Sequence, residues 1–425
     1  MSKRVVVFGP GPQFKGGISN FTVSLCKAFE AAEQEVFLVS WKRQYPAIIP
    51  RDFIDHASKS NLLQGSNVKI LTLTDYNNPL TWFKTAREIA SIHPDLVVIQ
   101  WAIAIQGLPI GVICWQLKKL LPSARIIFDV HNVVQKETGA LDKILTRFAL
   151  RKADAYIFHG QLTLEEFKQF MPTISLVSVK QKARSDEKKY IELFHPNYDI
   201  FNHPGTFDRD AERLRLGLNH HVFLFFGFIR KYKGLHWAIE AFAKVTEKHP
   251  DVSLLIVGES FWNKEDKKSW ITSVQKALFK LAKRIFIKKS SDDKEYQPLA
   301  LIEQLGIQNK VLTINRFVPN EEVYKWFLLS DAVLNFYEYA TPSGVESLAY
   351  NFSKPVLATS VGHFAYAIKD GINGYLAQPG NIESMAAAIE RQINEPVSPE
   401  KVRVYAAEMT WENYVRQILL LNASI

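Results

Sequence analysis

Glu338 and Glu346 are separated by seven residues around Ser343-Gly344-Val345, directly after an apolar run at 332–336. Carboxylates accept hydrogen bonds from sugar hydroxyls, and the free amides of a helix start attract phosphate. Glu346 also has an ordinary reading, because a carboxylate in a first helical turn complements the helix dipole. That reading leaves Glu338 unexplained. Arg230, Lys231 and Lys233 leave a second apolar run, 222–227, between Gly227 and Gly234. They form either a solvated basic turn or a clamp in which fixed positive charge neutralises a diphosphate as magnesium does elsewhere. Gly16-Gly17 opens a helical pattern, where glycines either reverse the chain or let backbone amides approach an anion. The pair lacks the Gly-x-Gly-x-x-Gly spacing of a dinucleotide fingerprint. His131, in Asp129-Val130-His131-Asn132, follows the run 124–128; it is either a structural histidine or a ligand contact at a strand end. No metal site is expected, since the lone Asp-x-Asp, Asp208-Arg209-Asp210, lies in linker-like sequence.

The elements that must position these residues alternate. Strands are expected at 4–9, 35–40, 68–73, 96–101, 124–130, 155–158 and 174–177, and Phe21, Leu25 and Phe29 continue a helix that Ser19-Asn20 could cap. Charges at 182–189 and prolines and asparagines from 195 to 204 read as a linker between about 180 and 210. A second set follows at 222–227, 253–258, 311–315, 332–336 and 355–358. The class is α/β, with two doubly wound, Rossmann-like domains facing a central cleft, at 1–195 and 196–400. In such sheets ligands sit at the carboxyl ends of the strands, where all the residues above fall.

Composition agrees with a packed two-domain protein: 425 residues, 47% hydrophobic and 12% aromatic. Cys26 and Cys114 lie in apolar stretches and read as buried thiols of a reducing compartment. The uncharged stretch 96–117 holds Gln100, Gln106, Gly107, Pro109, Gly111 and Gln116, so it reads as a strand, a loop and a helix at 110–121 rather than a membrane span. The apolar run after Arg4 breaks at Gly9-Pro10, too soon for a secretory leader, and a cytoplasmic location is expected.

The net charge of +9 is concentrated: between Lys264 and Lys289 nine Lys/Arg face two acids. Trp270, Val274, Leu278, Leu281 and Ile285 repeat there at helical spacing, beside Lys276, Lys280, Lys283, Arg284, Lys288 and Lys289. This basic segment, 261–299, reads either as a surface helix on its own domain or as a cationic amphipathic helix on anionic lipid headgroups. No motif points to nucleic acid.

The run from Glu338 to Glu346, continued by Ala349-Tyr350, Lys354-Pro355-Val356, Ala358-Thr359, Val361-Gly362, Asp370-Gly371, Asn373-Gly374 and Pro379-Gly380, resembles the signature of glycosyltransferase family 4, the group 1 glycosyltransferases. These are retaining enzymes of the GT-B fold. The resemblance implies a nucleotide-diphosphate sugar as co-substrate, no other cofactor, and a glycan or lipid-linked acceptor of surface polysaccharide or glycolipid synthesis. Arg230 and Lys233 would hold the diphosphate, with Lys231 able to replace either. Glu338 would contact the donor sugar and Glu346 the ribose. Amides around Ser343, Gly344 and Val345 would meet phosphate, as would Gly16 and Gly17 from the other domain, and His131 would lie near the reacting carbon. The departing phosphate oxygen would take the acceptor proton. Trp411-Glu-Asn-Tyr414 resembles the family's last helix, so 401–425 would cross back onto the first domain. Three departures stand out, the first being that Arg230 and Lys233 are closer together than in many relatives. Ala340-Thr341-Pro342-Ser343-Gly344 replaces the usual glycine-rich stretch, and His363 occupies a position often held by glycine. A sugar-nucleotide epimerase of the same fold, or an inactive membrane-associated partner subunit, is the alternative.

Overall fold

The computed structural model describes residues 3–46, 53–133, 139–201, 203, 205–260 and 296–425. The basic segment 261–299 lies outside them except for its last four residues.

The first sheet holds β1 (Arg4–Phe8), β2 (Glu35–Arg43), β3 (Lys69–Asp75), β4 (Leu96–Trp101), β5 (Ile126–Val130), β6 (Ala155–Phe158), β7 (Ser175–Ser178) and β8 (Glu187–Glu192). All run parallel, in the order β3-β2-β1-β4-β5-β6-β8-β7. The second sheet holds β9 (His221–Phe226), β10 (Val252–Val257), β11 (Val311–Ile314), β12 (Ala332–Asn335), β13 (Val356–Thr359) and β14 (Gly374–Ala377), in the order β11-β10-β9-β12-β13-β14. Both sheets turn back at their first strand, the arrangement of a dinucleotide-binding fold. Central strands such as β4 and β10 are buried along their whole length, because helices cover both faces of a parallel sheet.

Two strands depart from expectation. β8 falls in sequence read as linker, since Lys188 and Lys189 break any apolar pattern. Only Ile191 of this strand is buried, and Lys188 Nζ donates to the carbonyls of Arg151 and Ala153, capping the end of a neighbouring helix. β14 is four residues long and begins on Gly374, where any Cβ would collide with the carbonyl oxygen of Val356, 1.8 Å away. The Asp-x-Asp is structural: Asp208 caps the helix Arg209–Arg215 by accepting from the amides of Asp210 and Ala211, and Arg209 pairs with Asp331. Cys26 and Cys114 are both buried.

The C-terminal helix, Trp411–Ser424, crosses back onto the first domain. Tyr414 Oη donates to Asp129 Oδ2 at 2.9 Å, across 285 residues of sequence. Asp129 is fully buried and also accepts from His159 Nε2 at 2.7 Å and Gln100 Nε2 at 3.2 Å. Burial alone would push this carboxyl up, but His159, His131 and the hydrogen bonds from His159 and Tyr414 outweigh it and hold the group ionised below the usual range. Trp411 packs edge-on against Phe21 of the Gly17–Ala31 helix, with ring centroids 4.8 Å apart. Replacing Tyr414 with Phe removes one donor to a buried carboxylate, and the expected cost is about 1–2 kcal/mol, read as a lowered melting temperature. An unchanged melting temperature would show that the bond contributes nothing.

Candidate active site

A cavity of about 760 Å³ lies between the carboxyl edges of the two sheets. On the second domain, its wall begins where β9 ends. Gly227 has φ 94°, and a Cβ on it would lie 3.0 Å from Lys233 Nζ, so a larger residue would crowd the ammonium. The chain then makes a single tight turn, Lys231–Lys233, which ends on Gly234 in the left-handed region. A Cβ on Gly234 would strike the carbonyl oxygen of Phe336 at 1.9 Å, so only glycine lets this turn pack against the end of β12. Glu338 N donates to the Tyr232 carbonyl at 2.7 Å, which stitches the basic turn to the carboxylate loop. Arg230, Lys233 and Glu338 all line the cavity.

Lys233 is half-buried in the cavity wall. Burial first, and then the Arg230 guanidinium, push its pKa down to about 8. Both causes disfavour a second positive charge, and both are relieved when an anion enters. Past Glu338, Ser343 caps the helix Gly344–Asn351, its Oγ accepting from Val345 N at 3.3 Å. Ser343, Gly344 and Val345 line the cavity, so this helix start, with the positive end of its dipole, faces it.

The opposite wall carries Phe14, Gly16, Gly17, Asn20, Asp55 and Asn132 of the first domain. Gly16 has φ 111°, and neither it nor Gly17 has an atom within 4 Å of a would-be Cβ, so their backbone is open to the cavity. At the mouth the domains touch: Glu321 accepts from Lys59 N at 3.0 Å and Ser60 Oγ at 3.2 Å, and Asn320 N donates to Ser58 Oγ at 2.9 Å.

Three expected site residues do not line this cavity. His131 ends β5 as expected, but its ring turns into the first domain, edge-on to Phe21 at 4.6 Å and stacked on His159 at 4.7 Å. Its Nε2–H donates to Gln100 Oε1 at 2.7 Å, and burial holds its pKa down to about 3, so the ring is neutral. Asn132, the next residue, reaches the cavity instead. Lys231 opens the tight turn but stays behind the wall that Arg230 and Lys233 form. Glu346 is 5% exposed; its carboxylate sits beneath the wall, accepting from Tyr350 Oη at 3.1 Å and paired with His363 Nε2 at 3.0 Å. Two linker residues escaped the sequence reading. Tyr198 lines the cavity, donates to the Gly17 carbonyl at 3.1 Å, and lies 3.2 Å from a would-be Cβ on Gly344, so it spans the two glycine loops. His195 Nδ1 meets Ser347 Oγ at 2.7 Å.

Among the described residues, one group, Asp129, His131 and His159, brings metal-ligand atoms within 4.8 Å of one another. It is buried under the C-terminal helix, and Asp129 is already bonded to His159, Gln100 and Tyr414.

A cation with a pKa near 8 gives the cavity a measurable signature. Inorganic pyrophosphate should bind more weakly as pH rises from 7 to 9, because the charged form of Lys233 is lost through that range. In Lys233→Met this part of the pH dependence should vanish; a slope retained in the variant would remove Lys233 from the anion site.

Residues 207–409 match the family of glycosyl transferases group 1. Spore coat protein SA of Bacillus subtilis is 22% identical over 313 residues, spanning 70% of this chain and 71% of that protein. Alpha-D-kanosaminyltransferase of Streptomyces kanamyceticus is 23% identical over 285 residues, 67% of this chain and 62% of that one. Among solved structures, Anabaena HepE in complex with UDP and glucose superposes over 100% of both chains with a TM-score of 0.68 at 15% identity, a shared GT-B fold. Arg230, Lys233 and the capped helix start, which share one wall of the two-domain cleft, all fall within residues 207–409, and that part of the chain matches the glycosyl transferases group 1.

Proposed function

We propose that this glycosyltransferase is a retaining, metal-independent enzyme of family 4. It moves a sugar from a nucleotide-diphosphate sugar to a glycan or lipid-linked acceptor in surface polysaccharide or glycolipid synthesis. The observation that carries the reading is the joining of Arg230, Lys233, Glu338 and the Ser343–Val345 helix start on one wall, with the open backbone of Gly16 and Gly17 opposite. HepE, of the same fold, is bound to UDP and glucose in its crystal structure, which supports a donor of that kind.

In this reading Arg230 and Lys233 hold the diphosphate, and their fixed charges stabilise it as the sugar bond breaks. The Gly344 amide and the dipole of this helix start share that charge, and the amides of Gly16 and Gly17 join from the first domain. Glu338, in the loop beside Lys233, accepts hydrogen bonds from donor-sugar hydroxyls. The departing phosphate oxygen takes the acceptor proton, so no side-chain base is required; the neutral, buried His131 acts through the wall it supports rather than as that base. No metal enters, since two cations already balance the diphosphate.

No described helix is long and apolar enough to cross a membrane. The local +7 between Lys264 and Lys289 supports peripheral attachment of a cytoplasmic enzyme to the inner face of an anionic membrane, beside a lipid-linked acceptor.

With a panel of nucleotide-diphosphate sugars, Glu338→Ala and Lys233→Ala should each lower kcat/KM by about 100-fold or more at unchanged melting temperature. Turnover should survive EDTA, and the product should keep the donor's anomeric configuration by NMR; activity lost to EDTA, or inverted product, would defeat the mechanism. Charge reversal at Lys280, Lys283 and Arg284 should abolish flotation with anionic vesicles, and unchanged flotation would remove the membrane role of this segment.

A further inference from the structure

His363, a departure from the family pattern, reaches the predicted site residue Glu346 directly. Its imidazole Nε2 lies 3.0 Å from Glu346 Oε2, with side-chain exposures of 23% and 7%. The other carboxylate oxygen, Oε1, accepts from Tyr350 Oη at 3.1 Å. Tyr350 is itself held, because Asn373 Nδ2 donates to its oxygen at 2.8 Å and to the Ala367 carbonyl at 2.9 Å. Glu346 is therefore gripped on both oxygens. A carboxylate offers about four lone-pair sites, so this count leaves two, and Val345 and Gly362, the residues before Glu346 and His363, line the cavity beside it.

The backbone places His363 with equal care. Gly362 has φ 48°, and a Cβ there would lie 2.1 Å from the carbonyl oxygen of Ala340, so glycine allows this loop to close on the stretch between the two glutamates. His363 N then donates to that same carbonyl at 3.0 Å. On its far side, His363 Nδ1 comes 4.0 Å from a would-be Cβ on Gly160, at the start of a first-domain helix. The residue thus sits on the seam between the domains, with one nitrogen toward each.

The geometry points to His363 as a positioning residue for the donor site: it fixes the Glu346 carboxylate so that its free lone pairs accept the ribose hydroxyls of a nucleoside diphosphate. This deepens the donor reading above and rests on it. Charge complements the geometry. Burial opposes a charged imidazole, but the facing Glu346 carboxylate outweighs it and raises the His363 pKa. The ion pair is therefore complete below the ordinary imidazole range and lost as pH rises through the raised value. Glu346 is the charged group acting on His363; Tyr350 and Tyr405 stand behind that carboxylate, and Gly160 of the first domain faces its other nitrogen.

Calorimetric titration with UDP, and with 2′,3′-dideoxyuridine diphosphate as a probe lacking the ribose hydroxyls, tests the assignment at pH 6.5. His363→Ala should weaken UDP binding about tenfold and leave the dideoxy probe within twofold, the difference expected for one lost hydrogen bond to a charged group. His363→Gln, which keeps a neutral donor, should restore UDP affinity to within about threefold and flatten the pH dependence relative to the wild type. Equal UDP affinity in wild type and His363→Ala would overturn the proposal, as would equal losses for both probes. A wild-type protein that bound no nucleoside diphosphate would instead overturn the donor reading and this proposal with it.

Discussion

The site depends on the free energy of enclosing Lys233 beside Arg230. An ammonium withdrawn from water next to a guanidinium is disfavoured twice, by lost hydration and by like charge, and its lowered pKa records both. The protein compels this arrangement through backbone: Gly227 leaves room for the ammonium, and Gly234 lets the turn press against the end of β12. The two cations share this wall with Glu338, while Glu346 is held by His363 and Tyr350 beneath it. A diphosphate brings negative charge to where two positive groups are crowded, and fixed dipoles at the Ser343 cap add to its attraction without having to reorganise.

A cleft of this kind works only if its walls keep their spacing. Three ties set it here. Tyr198 rises from the linker to reach Gly17 on one side and Gly344 on the other. Glu321 and Asn320 meet residues 58–60 at the mouth. The C-terminal helix returns from the second domain and buries Tyr414 against Asp129. The first two ties are small numbers of polar bonds, which suits domains that separate to admit a ligand, whereas the helix also buries Trp411, Val415, Ile418 and Leu421.

The alternation of apolar runs with helical patterns made the two sheets readable, because parallel strands are buried on both faces and show as unbroken hydrophobic stretches. β8 escaped for the converse reason: its lysines cap a helix end and run along exposed surface, so nothing in its composition marks a strand. Within the site, the basic turn and the Ser343–Val345 helix start were legible from residue type and spacing. The orientation of His131 was not, since a strand end can turn a ring toward the cleft or into the domain, and only Phe21 and Gln100, distant in sequence, decide between them. Tyr198 was equally hidden, as one aromatic residue in a linker carries no pattern.

The bond from Tyr414 to Asp129 also has a consequence for biosynthesis. A ribosome releases the first domain long before residue 414, so the nascent domain carries a buried-type carboxylate with one donor missing, and the hydrophobic seat of Trp411 beside Phe21 uncovered. Its core is finished by a helix that lies 285 residues further along the chain. Of the contacts that complete the first domain, the bond to Asp129 and the cover over Phe21 therefore form only after residues 411–424 have been made.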